Sequence, residues 1–397
     1  MNTRNILKNI TALCLTFCVL SSSSVVNAIV QGDINSDEKL DCSDAVIMRD
    51  ILLGCRTSDN YDTAAADFNN NSKTDIYDYI ILKSTILQSR SQTNKIIVSD
   101  TQSLMNAVKN ASAGDEIIVR PGVYETDTGH TKGSLFIGTA DGTKEKPIIL
   151  RSEDPENKAE LKGIDPANRI VLYITGDFWQ IEDLKISTAQ KGIVLDNSNN
   201  SVISGCEVYN TGSEGIHLRD NSSDNIVSDC SVHDNGVVSP SYGEAVYIGS
   251  AKSTSGYGYE CNNNVISGCK LGPQTAAEHV DIKEYTTGNI VENCIFDGTG
   301  MSGANYADSF VDVKGNECII RNNTGYRNNN SNITEAVQLH VQVEGWGENN
   351  IFCNNIFYMD DESSYITKAW SGSVTVYANE RYPDGLMYEG DSVIVKD

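Results

Sequence analysis

Two kinds of hydrophobic spacing divide the chain. Before residue 90 the apolar positions fall at helical intervals, in Ala45-Val-Ile-Met-Arg-Asp-Ile-Leu-Leu53 and Tyr79-Ile-Ile-Leu-Lys-Ser-Thr-Ile-Leu87. From residue 95 onward they fall in short runs of strand character, separated by Asn, Asp, Ser and Gly turns. One helix is predicted there, over Ser103–Ala111, ahead of the strand in Gly114-Asp-Glu-Ile-Ile-Val-Arg-Pro-Gly-Val-Tyr124. Its place suits a cap on the open end of a solenoid.

The strands repeat. One set reads Lys191-Gly-Ile-Val-Leu-Asp196, Glu214-Gly-Ile-His-Leu-Arg219, Glu244-Ala-Val-Tyr-Ile-Gly249, Glu278-His-Val-Asp-Ile-Lys283, Ser309-Phe-Val-Asp-Val-Lys314 and Glu335-Ala-Val-Gln-Leu-His340. The third and fifth positions are always aliphatic, so they share one strand face, the inner one. Successive offsets of 23, 30, 34, 31 and 26 residues predict coils joined by loops of unequal length. A second set, beginning Val202-Ile-Ser-Gly-Cys206 and Ile226-Val-Ser-Asp-Cys230, places Cys206, Cys230, Cys269 and Cys294 at one stacked inner position, continued by Asn323 and Asn355. These cysteines read as small apolar filling. The pattern resembles a right-handed parallel β-helix; a propeller would repeat more evenly, with more strands per unit. The fold class expected is mainly β, with a small all-α module in front.

That module carries two twelve-residue loops with a period of 34 residues. Asp33, Asn35, Asp37, Lys39, Asp41 and Asp44 occupy loop positions 1, 3, 5, 7, 9 and 12; Asp67, Asn69, Asn71, Lys73, Asp75 and Asp78 occupy the same positions in the second. Calcium takes six to eight oxygen ligands, and position 7 offers its backbone carbonyl, which tolerates lysine. Two such loops in register, each running into a helix, resemble a type I dockerin. The resemblance implies calcium as cofactor and a cohesin domain of a scaffoldin or cell-surface protein as partner. It implies that Cys42-Ser43 and Ile76-Tyr77, at loop positions 10 and 11, select the cohesin. The glycine common at position 6 is replaced by Glu38 and Ser72.

Composition sharpens this picture. Met1–Ala28 has a basic start (Arg4, Lys8), a short apolar core and small residues before Ala28, which reads as a secretory signal. Export to an extracellular, cell-surface complex is therefore expected, and no segment is long enough for a membrane span. The domains expected are a signal at 1–28, a dockerin at 29–90 and a β-helix at 91–397, with Ser89–Asn94 as linker. With 30 Lys+Arg against 54 Asp+Glu, the formal charge is −24, which argues against nucleic-acid binding. Whether Cys42 and Cys55 pair is open.

Candidate chemistry lies on the outward positions of the first strand set. One row is Val194, His217, Tyr247, Asp281, Asp312 and Gln338; the next is Asp196, Arg219, Gly249, Lys283, Lys314 and His340. A dockerin beside a β-helix suggests a polysaccharide-degrading enzyme with an acidic substrate such as pectin. The residue types suit β-elimination on a uronate, which must neutralise the carboxylate, remove the adjacent proton and release the glycosidic oxygen. Glu214, Glu244 and Glu278 are candidate calcium ligands, and Lys283 or Lys314 the base, its pKa lowered by the other. His217, Arg219 and Tyr247 complete the candidate catalytic set. The stretch Glu278–Lys283 is similar to a segment of family-six polysaccharide lyases, which implies Glu278 as metal ligand and Lys283 as base. There the family's second Glu is Ala276 here, and its Arg-His-Gly-Asn appears as Val313-Lys-Gly-Asn316, so its catalytic Arg is missing, with Lys314 adjacent. Pectate lyases are an equally good template. Two alternatives stay open: a glycoside hydrolase using Asp281 and Asp312 as its carboxylate pair, and a non-catalytic carbohydrate-binding solenoid.

Overall fold

The computed structural model describes residues 31–36, 40, 42–54, 64–68, 72–89, 93–130 and 133–396. The expected signal at 1–28, the loop residues Asp37, Lys39, Asp41, Asn69 and Asn71, and Cys55 lie outside them. The small module holds helices α1 (Cys42–Leu52) and α2 (Ile76–Ser89). Each starts three residues before its apolar run. The Asp78 carboxylate accepts the Asp75 amide at 2.9 Å, which closes the turn that opens α2. An acid in the first turn also complements the helix dipole. Ile47 and Met48 of α1 pack with Leu82 and Ile86 of α2 and with Ile34 and Ala66 from the loops.

Three parallel sheets of 12, 10 and 10 strands wrap one long core. The first strand, Asn94–Val98, pairs in parallel with Asp115–Val119. Between them runs α3 (Thr101–Lys109), two residues earlier than its periodicity predicts, because Asp100 caps it by accepting the Ser103 amide at 2.9 Å. It buries Leu104, Met105 and Val108 against the first coil. The linker is shorter than expected, since Ser89 ends α2 and Asn94 begins the strand.

The aliphatic third and fifth positions point inward: Ile193, Leu195, Ile216, Leu218, Val246, Ile248, Val280 and Ile282 are fully buried. Cys206, Cys230, Cys269 and Cys294 stack as expected, each thiol 3.6–3.7 Å from a carbonyl of the preceding coil. The ladder continues through side-chain amides, Asn323 Nδ2 donating to Asn355 Oδ1 at 3.0 Å and Asn355 Nδ2 to Asn379 Oδ1 at 2.9 Å. A second amide ladder, Asn225–Asn264–Asn289, was not foreseen.

His279 is a buried exception among these apolar layers. Its ring lies 5.7 and 5.5 Å from those of Phe296 and Phe310, and Nε2 donates to the Asp297 carbonyl at 2.9 Å. Burial pushes its pKa down to about 4 from 6.5. The unfolded chain takes up a proton below 6.5 that the folded chain refuses until about 4, so stability is lost as pH falls through that window. At 1.36 kcal/mol per unit the loss is about 3 kcal/mol. Urea unfolding at pH 7 and pH 4.5 should show most of that drop, and His279→Phe should flatten it.

Candidate active site

The outer face of the second sheet aligns the predicted row. Val194 pairs with His217, His217 with Tyr247, Tyr247 with Asp281, Asp281 with Asp312, and Asp312 with Gln338. Strands Val246–Ile248, Val280–Ile282 and Val311–Val313 form the floor of a cleft of about 640 Å³. Its walls come from the turns that precede and follow these strands, including Tyr242 and Tyr306 on one side and Lys252 and Glu284 on the other. Six carboxylates (Glu244, Glu278, Asp281, Glu284, Asp308, Asp312) and three lysines (Lys252, Lys283, Lys314) line it.

At the centre, Asp281 bridges two ammonium groups: Lys283 Nζ at 2.6 Å from Oδ2 and Lys314 Nζ at 2.8 Å from Oδ1. Lys314 also pairs with Asp312, whose other oxygen lies 3.3 Å from His340 Nδ1. Burial alone would lower both lysine pKa values, but Asp281 and Asp312 outweigh it and hold both above the ordinary lysine value. Lys283 does lower the pKa of Lys314, as expected, but the carboxylates opposing it, whose weight the sequence left open, decide the net sign. Lys314 keeps Asp312 well below the usual carboxylate range against the pull of its burial.

Glu244, Glu278 and Asp281 bring one oxygen each within 4.8 Å of one another. Among the described residues Glu244 Oε2 is buried without a hydrogen-bond partner. Burial and the neighbouring carboxylates push Glu244 up, and push Glu278 to about 8. Among the described residues neither acid is in a salt bridge, and Lys314 does not offset the push on Glu278, so the pair must take up a proton or a cation. The donor set, three carboxylates and no nitrogen or sulfur, fits a hard cation such as calcium.

Not all expected site residues converge. Glu214 lies outside that trio; it pairs with Lys191 at 2.5 Å, and His217 Nδ1 is 3.4 Å away. His217 donates from Nε2 to the Gly249 carbonyl at 3.0 Å and meets Tyr247 edge-on with ring centroids 4.5 Å apart. Burial, then Lys191, lowers its pKa, so it is neutral packing beside the cleft. Arg219 Nη2 donates to Asp196 at 3.0 Å, with the Tyr257 ring 4.2 Å from its Cζ, away from the cleft. Tyr247 does line the cleft; Lys283 Nζ lies 4.9 Å from its ring centroid, and burial with Asp281 raises the phenol pKa. Asp281 and Asp312, the hydrolase pair, are both bound by Lys314. Sequence reasoning missed the wall residues Tyr242, Tyr306, Asp308 and Trp370, which sit in turns without periodicity.

In the small module, Asp33, Asp44 and Asp78 are buried, while Asn35 and Lys73 are exposed or nearly so. Asp44 accepts the Ile34 amide at 2.9 Å, and Asp67 accepts the Ser72 amide at 2.6 Å. Fully buried carboxylates in so small a module fit a bound cation. The α1 pair is covered: Ser43 is buried, and the Cys42 thiol reaches Glu182 of the β-helix at 3.4 Å. Arg49 and Asp50 of α1 also contact Asp229 and Asn293. The α2 pair is open, with Ile76 53 % and Tyr77 67 % exposed beside Ile80.

A three-sheet β-helix with a carboxylate–lysine cleft on one face is an architecture of polysaccharide lyases. Residues 31–87 match the Dockerin type I domain, and residues 86–271 match the Pel9A-like, right handed beta helix region. The crystal structure of an alginate lyase from Paenibacillus sp. str. FPU-7 superposes with a TM-score of 0.73 at 44 % identity, over 76 % of this chain and 99 % of that one. The chain belongs to the family of that β-helix lyase, carried here behind a type I dockerin. Pectate lyase Pel9A (TM-score 0.54, 13 % identity, 77 % of this chain and 79 % of that one) shares the fold. So does a rhamnogalacturonan lyase (TM-score 0.53, 15 % identity, 72 % and 79 %). No curated protein matches. Among the described residues no helix is long and apolar enough to cross a membrane.

Proposed function

We propose that the protein is a secreted, cellulosome-type lyase that cleaves a uronate polymer by β-elimination. The observation that carries this is the cleft floor, where Tyr247 and Lys283 stand beside an excess of buried carboxylates on adjacent coils. The 44 % identity to an alginate lyase, against 13 % to Pel9A, favours alginate over pectin.

In this account Lys283 takes the proton beside the uronate carboxylate. The electron pair left behind forms the new double bond, and the bond to the glycosidic oxygen breaks. Tyr247, whose phenol is held protonated, delivers a proton to that oxygen. Lys314 fixes Asp281 and Asp312, so the floor is rigid when substrate arrives. Lys283 gives up its own proton only where Asp281 is drawn to another cation. Glu244, Glu278 and Asp281 would hold calcium, which supplies positive charge for the substrate carboxylate. Incubation with alginate, polygalacturonate and chondroitin, with calcium or with chelator, tests the reading through the ultraviolet absorbance of an unsaturated product. Absorbance from alginate in calcium is expected; saturated ends would favour a hydrolase, and no product the binding solenoid.

The dockerin loops would hold calcium through the twelve positions named above, and the module would bind a cohesin. The α2 face carries that contact, because α1 is turned toward the β-helix. Buried aromatic and aliphatic anchors dominate interface energies. In a cohesin pull-down, Ile76→Ala/Tyr77→Ala should lose binding by more than tenfold, and Cys42→Ala/Ser43→Ala by less than about threefold. Equal losses would contradict this.

A further inference from the structure

Tyr306 stands on the cleft wall with 84 % of its surface exposed. Its backbone has φ of 65°, directly after Asn305 at 56° and three residues after Gly303 at 70°. Asparagine and glycine tolerate the left-handed region, but a bulky aromatic there is an outlier. The turn that imposes it is firmly held. Ser302 Oγ donates to the Ala276 carbonyl at 2.8 Å, and Asn330 and Asn332 both donate to the Met301 carbonyl, at 2.9 and 3.0 Å. The chain thus fixes an aromatic ring in a strained, solvated position where its own core gains nothing from it. Strain of this kind persists where the surroundings over-determine it, and it clusters at ligand clamps.

Several other exposed aromatics are already engaged. Trp370, on the same cleft, stacks on His340 with centroids 5.9 Å apart and has Lys368 Nζ 3.9 Å from its ring centroid. Tyr326, Tyr358 and Tyr382 stack on one another at 4.9 and 5.3 Å. Tyr306 has no ring partner among the described residues, and its neighbour on the wall is Tyr242, itself 58 % exposed. Resting on the lyase reading above, we infer that Tyr306 is a sugar-stacking residue, a platform that holds one uronosyl ring of the polymer at a subsite beside the catalytic floor. The face of a pyranose ring presents C–H groups, which suit the negative face of a phenol ring. The substrate's carboxylate is left free to meet the lysines.

The test compares Tyr306→Ala and Tyr306→Phe with the wild type, in steady-state kinetics on alginate and in affinity electrophoresis through alginate gels. Tyr306→Ala should raise KM and weaken gel retardation roughly tenfold, with kcat within about twofold. Tyr306→Phe should match the wild type, since stacking needs the ring and not the hydroxyl. The melting temperature of Tyr306→Ala should not fall, because the substitution removes no packing. An unchanged KM and unchanged retardation in Tyr306→Ala would overturn the proposal, as would a wild type that alginate does not retard. If the wild type is retarded but forms no unsaturated product, the lyase reading fails alone. The stacking role is then decided by whether Tyr306→Ala is retarded less.

Discussion

Replacing Lys283 with alanine should lower kcat by roughly 10²- to 10⁴-fold, the range that a positioned proton-transfer group supplies. KM should change by no more than a few-fold. Lys283 is largely covered, yet its loss leaves Asp281 still paired with Lys314 at 2.8 Å, so the fold should lose only about 1 kcal/mol. Lys283→Arg separates charge from proton transfer. It keeps the cation beside Asp281, but a guanidinium does not release a proton, so it should be nearly as inactive as alanine. Lys314→Ala should behave differently. Lys314 is the buried partner of two carboxylates, and breaking such a network costs about 3 kcal/mol. The activity that remains should have its pH optimum moved upward, since Asp281 and Asp312 would then act on Lys283 alone and hold its proton harder. If Lys283→Ala keeps most activity while Asp281→Asn or Asp312→Asn abolishes it, the base is not this lysine.

The second large effect concerns Glu244 and Glu278. Either residue changed to glutamine should raise the calcium concentration needed for half-maximal activity by at least about tenfold, the loss that even an outer-shell change can inflict. Saturating calcium should restore most of kcat. The alternative is that these acids work as neutral carboxyls, which the upward push on both would allow. Glutamine imitates a neutral carboxyl, so under that alternative both variants would stay active and indifferent to calcium. Glu214→Gln is the control. It disturbs the Lys191 pair one coil away and should leave calcium dependence unaltered.

The reach of the sequence differs between floor and walls. The floor is periodic. Aliphatic residues at the third and fifth strand positions fix which side chains point outward, and coil stacking then makes Tyr247, Asp281 and Asp312 neighbours. The same register put Lys191 level with Glu214, but a row of like positions does not say which members neutralise one another. Glu214 therefore looked like a metal ligand until its 2.5 Å contact was seen. Asp281 looked like half of a hydrolase pair until two ammonium groups were found on it. Lysine pKa direction was illegible for the same reason, because it depends on distances between charges and not on their order in the chain. The walls come from turns of unequal length, so Tyr306 and Trp370 had no pattern to announce them. The packing of α1 against the β-helix, through Cys42 and Asp50, joins residues more than a hundred positions apart and was equally hidden.

Elimination, and not the addition of water, is the bond-breaking step proposed for the cleft. The most direct measurement is the mass of the products formed from alginate in heavy-oxygen water with calcium present. Elimination predicts a new non-reducing end lighter by one water than a saturated sugar, with no heavy oxygen incorporated during cleavage. Saturated products carrying one heavy oxygen per bond cleaved would contradict the account and return the site to a carboxylate-pair hydrolase.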